Sequence, residues 1–351
     1  MDKNFWKNRR VLVTGHTGFK GSWLCLLLKN LDAELYGFAL PPAENNSLYG
    51  SAKLSEILNY ELTGDIRDPS QLENIIKLSN PEIIFHLAAQ PLVGISYEKP
   101  IETFDTNIMG LVKLFEVSKR ISSLKVIINV TSDKCYLNEG QGKFYEEGDI
   151  LGGADPYSAS KACAELISQC YSKMLSSSTG IKINTARAGN VIGGGDFTKG
   201  RLLPDCMRAI FCGDKMKVRN LYSTRPWQHA LEPLSGYLLI AENLFFSETE
   251  KFDAWNFGPN HDSNVSVIKI LEQIKLSHPK FDWEEMNDIY SEAHQLGINS
   301  EKSKNNLGWS PKWNLEESLV ETLSWYEAYY NGKNMQKFSE YQLEKFLNHG
   351  A

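Results

Sequence analysis

Short apolar runs alternate with longer stretches of helical period through the first half of the chain. Arg10–Thr14, Glu34–Leu40, a run ending at Gly64–Asp68, Glu82–Leu87, Lys125–Val130 and Ile181–Ala188 read as strands. Glu82–Leu87 is unbroken in apolar character, as a strand buried on both faces of a parallel sheet should be. Between the strands lie the apolar-rich Ser22–Leu31, and Ser70–Leu78, entered through Asp68-Pro69. Thr106–Arg120 follows, with Ile108, Leu111, Val112 and Phe115 at i, i+3, i+4 and i+7. Tyr157–Leu175 opens after Asp155-Pro156. This alternation predicts an α/β, doubly wound parallel sheet over residues 1–188. After Gly193-Gly194-Gly195 the rhythm breaks. Helices are expected at Leu202–Cys212, Glu232–Phe246, Val267–Leu276 (capped by Ser266) and Leu315–Tyr330, and strands at Met216–Arg219 and Ala254–Gly258. The expectation is a smaller mixed α/β domain over 189–351 that binds substrate, with the chain returning to the first domain around 225–250. Gly332–Ala351 reads as a polar, peripheral tail.

A doubly wound sheet binds ligands beyond the carboxyl ends of its strands, and the candidate chemistry falls there. The first strand runs into Gly15-His16-Thr17-Gly18-Phe19-Lys20-Gly21 and then a helix. Glycines in that context turn tightly, and let a pyrophosphate meet free N–H groups at the helix start. The expected domain is therefore Rossmann-like and dinucleotide-binding. Asp65 and Ile66 follow the third strand, where an adenine amino group is in reach; Asp68 reads as a helix cap. Leu87, Ala88 and Ala89 end the fourth strand; small Ala88 and Ala89 would let a cofactor lie flat over it, and His86 reads as a packed strand residue. The fifth strand ends in Ser132-Asp133-Lys134, and one turn of the later helix carries Tyr157 and Lys161. Hydroxyl, carboxyl, amine and phenol make a proton-handling set, and a Lys beside a Tyr favours phenolate.

The overall numbers exclude several classes. A net charge of -6 over 351 residues gives no support for nucleic-acid binding. Six cysteines without a C-x-x-C pair read as reduced core thiols; helical spacing gives Cys163 and Cys170 no metal geometry, so no metal site is expected. The longest apolar run, Trp23–Leu28, is far short of the ~20 residues that span a bilayer, and the first residues lack the apolar core of a signal peptide. A cytoplasmic protein is expected.

Thr14–Gly21, Leu87-Ala88-Ala89, Asn107, Ser132, Tyr157 with Lys161, and Arg187-Ala188-Gly189-Asn190 together resemble the extended short-chain dehydrogenase/reductases that act on nucleotide sugars. Val13–Trp23, Thr131–Tyr136 and Arg225–Leu234 are similar to the branch of 4,6-dehydratases that uses CDP-glucose. The resemblance implies NAD as cofactor, held by Gly15, Thr17, Gly18, Phe19, Lys20, Gly21, Asp65, Ile66, Leu87, Ala88, Ala89, Thr106, Tyr157 and Lys161. It implies catalysis by Ser132, Asp133, Lys134, Tyr157 and Lys161. It implies a nucleotide-sugar partner held by Gln90, Asn190, Arg201, Arg219, Arg225, His229 and Glu292. It also implies a homodimer built as a four-helix bundle, or a tetramer made from such dimers. One departure is that the second strand ends without an acid, which leaves Lys20 or backbone groups for the cofactor ribose. The other is Leu137, where relatives often carry a polar residue. Competing readings are a dehydratase for another nucleotide sugar of the UDP-N-acetylglucosamine type, a 4-epimerase or reductase, and a non-catalytic nucleotide-binding protein.

Overall fold

The computed structural model describes residues 1–43, 46–138, 140, 142–213, 215–249, 251–286 and 295–350. Its centre is a seven-stranded parallel sheet. In chain order the strands are β1 (Arg10–Thr14), β2 (Glu34–Ala39), β3 (Tyr60–Thr63), β4 (Ile83–His86), β5 (Val126–Val130), β6 (Lys182–Ala188) and β7 (Ala254–Phe257). Their spatial order is β7-β6-β5-β4-β1-β2-β3. The chain steps outward from β1 to β3 and then returns to the other side of β1 with β4. That reversal opens a crevice beyond the ends of β1 and β4.

Two apolar layers cover the sheet. Val11 and Val13 of β1 join the layer containing α1 (Phe19–Asn30) and α6 (Leu231–Phe246), while Leu12 faces the opposite layer. That second layer is built from α2 (Pro69–Ser79), α3 (Gly110–Ser118) and α4 (Pro156–Thr179). Alternate residues of a buried strand serve opposite faces, which is why these strands read as unbroken apolar runs. Asp68 caps α2 by accepting from the backbone N–H groups of Ser70 and Gln71. Asp155 caps α4 from Ser158, and Pro156 begins it.

Three expectations are corrected. The helix expected over 106–120 is one winding that starts at Pro100, passes through a π-turn at Asp105–Met109 and continues as α3. The π-turn brings Asn107 inward, where its Nδ2 donates to Gln90 O at 3.1 Å and Ser160 Oγ at 2.9 Å. Ser266 stands at the start of α7 (Val267–Ser277), but its hydroxyl accepts no N–H of the first turn. The expected peripheral tail is a capped helix, α9 (Met335–Leu347), following α8 (Leu315–Tyr330). Met335, Leu343 and Phe346 of α9 are buried in the main core, and Asn334 caps it by accepting from Lys337.

The glycine triple marks close packing. A Cβ on Gly194 would stand 1.9 Å from Cγ of Trp325, and Trp23 Nε1 donates to Gly194 O at 3.0 Å. The segment leaving β6 is thus pressed between indoles of α1 and α8, next to α5 (Leu202–Cys212) and its Arg201. Among the described residues no helix is long and apolar enough to cross a membrane.

Candidate active site

The crevice is lined first by the glycine turn. Gly15 has φ +75°, and a Cβ there would lie 2.7 Å from the backbone N of Ala88. Only glycine lets β1 approach the end of β4 this closely. Gly18 precedes α1 and no side chain caps the first turn, so its N–H groups point to the crevice mouth. Thr17 Oγ1 donates to Leu40 O at 2.9 Å and ties the turn to the end of β2. Leu87, Ala88 and Ala89 are half-buried at the strand end. His86 is buried, and its Nδ1 shares a hydrogen bond with Thr14 Oγ1 at 2.8 Å.

Ser132, Asp133 and Lys134 leave β5 in a tight turn packed on α4. Ser132 Oγ accepts from Lys134 N at 3.2 Å and donates to Asp133 Oδ1 at 3.0 Å. Oδ2 of Asp133 is buried and has no hydrogen-bond partner among the described residues. Burial raises the Asp133 carboxyl above its usual value, against the pull of Lys134, the Ser132 hydrogen bond, Arg225 and Lys20. Such a carboxyl keeps its proton to higher pH and suits a general acid.

Tyr157 and Lys161 are both buried on α4. Burial pushes the Tyr157 phenol up to about 12, while its hydrogen bond with Ser132 works the other way. Lys161 is lowered to about 8 by burial, opposed chiefly by Glu165, and its Nζ donates to Val130 O at 3.2 Å. Burial is thus the largest influence on both groups.

Lys20 Nζ donates to Tyr237 Oη of α6 at 3.2 Å. Burial lowers it to about 7, with Lys161 and Arg201 adding to the effect. The amine lies in the interior of the site, where it and Asp133 act on each other electrostatically. Near β2 the acid is Glu61 of β3, which binds His16 Nε2 at 2.8 Å; the His16 ring stands over Gly37. No local sequence signal joined Glu61 to the glycine turn, 45 residues away.

The other residues divide. Asp65 is held by Arg67 through hydrogen bonds of 2.6–3.0 Å, and Ile66 is buried against Gly110. Thr106 lies in the π-turn, and Gln90 spends its amide on Leu92 and Thr103. Asn190 is half-buried after β6, and its carbonyl accepts from Gln228 N. Arg201 pairs with Asp196 at 2.8 Å. Arg225 is buried, donates to Thr224 O at 2.8 Å and acts electrostatically on Asp133, whereas Arg219 lies half-buried near Asp205. His229 is fully enclosed between Trp23 and Trp313, with ring centroids at 5.7 and 4.9 Å, and so leaves no face for a ligand. Glu292 falls outside the described residues.

Residues 12–322 match the family model described as GDP-mannose 4,6 dehydratase. The chain belongs to that family. A CDP-glucose 4,6-dehydratase of Salmonella typhimurium is 41% identical to this chain, over 99% of both. A human dTDP-D-glucose 4,6-dehydratase is 24% identical over 95% of this chain and 94% of its own. The crystal structure of a Bacillus anthracis dTDP-glucose 4,6-dehydratase in complex with NAD superposes with a TM-score of 0.77. It is 26% identical and covers 93% of this chain and 99% of its own.

Proposed function

We propose that this protein is a nucleotide-sugar 4,6-dehydratase that converts CDP-glucose to CDP-4-dehydro-6-deoxyglucose and water, with NAD as its resident cofactor. The observation that carries this reading is a single turn that sets Asp133 and Lys134 side by side around Ser132, packed on the helix that bears Tyr157 and Lys161. Whole-length identity of 41% to a CDP-glucose 4,6-dehydratase supports the choice of nucleotide.

The residues present fit the dinucleotide. Gly15 and Gly21 leave no room for a Cβ, because the backbones of Ala88 and Gly15 stand against them, and the tight turn this allows leads into the uncapped start of α1, where backbone N–H groups favour a pyrophosphate. Gly15, Thr17, Gly18, Phe19 and Gly21 would hold it, with Asp65, Ile66, Thr106 and Leu87–Ala89 along the rest of the crevice. When bound, NAD supplies a hydride acceptor for the sugar C4 and a positive charge that favours the Tyr157 phenolate.

Tyr157, hydrogen-bonded to Ser132, takes the proton of the C4 hydroxyl. The resulting 4-ketone acidifies C5–H, and the Lys134 amine in its neutral form removes that proton. Asp133 gives its proton to the C6 hydroxyl, which leaves as water; the C5–C6 alkene so formed would take back at C6 the hydride removed from C4 and, at C5, a proton from Lys134, so that no reductant is consumed. Lys161 holds positive charge close to Val130 O, at the back of the turn. Arg201, Arg219 and Arg225 bind the diphosphate and nucleotide, with Asn190 beside them. A guanidinium offers phosphate a bidentate fork that an amine does not.

We further propose that residues 1–188, with the chain's return at 225–250, hold the cofactor while 189–351 mainly hold the nucleotide sugar, and that the enzyme works in the cytoplasm. The 100–118 winding and α4 carry exposed Ile101, Phe104, Met109, Leu166 and Met174 on their outer faces. These suit pairing of the two helices with those of a second copy. The test of the function is incubation with CDP-glucose: a 4-keto-6-deoxy product without net cofactor reduction supports it, and recovery of unchanged CDP-glucose opposes it.

A further inference from the structure

One fully enclosed ion pair touches both catalytic segments. Glu165 and Arg187 lie 2.7 Å apart with side chains 1% and 3% exposed. Glu165 is one helical turn beyond Lys161 on α4, and Arg187 is near the end of β6. The Glu165 carboxylate also accepts from Thr185 Oγ1 at 2.7 Å and from the hydroxyl of Thr131, the residue before Ser132. Arg187 Nη1 donates to Tyr136 Oη at 2.8 Å and to Glu147 O at 3.1 Å. Tyr136 closes the Asp133–Cys135 turn, and its hydroxyl donates in turn to Asn256 Oδ1 of β7 at 2.7 Å. The pair therefore grips the stretch Thr131–Tyr136 at its first and last residues while standing on the helix that bears Tyr157 and Lys161.

We infer that Glu165 and Arg187 are the positioning pair of this site, fixing the Ser132-Asp133-Lys134 turn against Tyr157 and Lys161 through Thr131 and Tyr136. The inference rests on the dehydratase reading above. Stability alone is a poor reason for such a pair, because two charges taken from water are often replaced by apolar residues without loss. Its hydrogen bonds give a better reason, since two of them end on residues that flank the catalytic turn. Proton transfers tolerate little displacement, and ~1 Å can cost ~100-fold in rate. Arg187 stays charged in this position. Burial works against its charge, but the hydrogen bond and charge of Glu165 outweigh that and hold it above its usual value. Glu165 also sets the field at Lys161. Lys161 is faced by Glu165 from its own helix, Cys135 from the turn, His86 from β4 and Lys20 from α1.

Thr131→Val and Tyr136→Phe each remove one hydroxyl and keep the shape. Each should lower kcat for CDP-glucose by about tenfold or more, with KM changed by less than about twofold; each leaves a buried partner unpaired and so lowers the melting temperature, but the loss in kcat should persist at temperatures where the variant is fully folded. Glu165→Gln should also move the alkaline limb of the kcat profile to lower pH, because a negative charge that favours the Lys161 cation is gone. If Glu165→Gln does not fold, the two hydroxyl variants still decide. A kcat within about twofold of the parent in both, or a loss confined to KM, overturns the positioning role. Failure of the unmodified protein to dehydrate CDP-glucose would instead remove the reading beneath it, so the two failures are separable.

Discussion

The Ser132 hydroxyl donates to Oδ1 of Asp133 at 3.0 Å, while Oδ2 of the same carboxyl is enclosed with no partner among the described residues. An unpartnered oxygen in a buried carboxyl is costly unless a proton or a ligand meets it. The arrangement suits a group that carries a proton into the reaction and has one oxygen left for the substrate. Asp133→Asn keeps the shape and removes the acid. It should fold with an unchanged melting temperature and lose ~10²–10⁴ in kcat, the usual worth of general acid catalysis. Near-normal turnover in a steady-state assay would remove Asp133 from the elimination.

Lys134 separates this reading from an epimerase or reductase. Lys134→Ala should abolish loss of water. With the parent enzyme in D2O, product should gain deuterium at C5, because the proton taken there exchanges with solvent. The variant should show neither product nor wash-in when substrate is re-isolated and examined by NMR. A variant that still eliminates water would shift the base to another residue.

Lys20 supplies a prediction in stability. Its amine is lowered to about 7 by burial, with Lys161 and Arg201 adding repulsion. In the unfolded chain the amine titrates near 10.5. Between those values the unfolded state binds more protons than the folded one, so this group makes folding more favourable as pH rises from about 7 toward 10. Lys161, lowered to about 8, acts in the same direction over the upper part of that range. Lys20→Met should raise the melting temperature of the ligand-free protein at pH 7 and flatten its rise toward pH 9. A lower melting temperature at pH 7 would mean that the hydrogen bond to Tyr237 outweighs the burial of charge.

Much of this arrangement is legible in the sequence where its cause is local. The glycine turn follows from β1 ending at Thr14, just before Gly15, and the pairing of Tyr157 with Lys161 follows from one helical turn. Asp68 and Asp155 announce their helices by being followed by proline. The misses have equally physical causes. α9 is polar on most of its surface and buries only a narrow stripe through Met335, Leu343 and Phe346, so composition made it look peripheral. His229 sits beside plausible ligands in sequence, yet two indoles from distant segments close over it. Tyr136 meets Asn256 across 120 residues, and Arg187 meets Glu165 across 22; no periodicity encodes either contact.

The apolar outer faces of the 100–118 winding and α4 predict association. Sedimentation at micromolar concentration should show a dimer or a multiple of it. Replacing Leu166 and Met174, both exposed on α4, with Glu should shift the protein toward monomer. A parent protein that sediments as a monomer would contradict the proposed pairing.

The central claim is that this site dehydrates a nucleotide sugar and that the sugar carries CDP. It is tested most directly by offering CDP-, UDP-, GDP- and dTDP-glucose in parallel and reading product mass. The expected result is loss of one water from CDP-glucose, fastest of the four and without accumulation of reduced cofactor. CDP-glucose recovered intact while another of the four is converted would contradict the account.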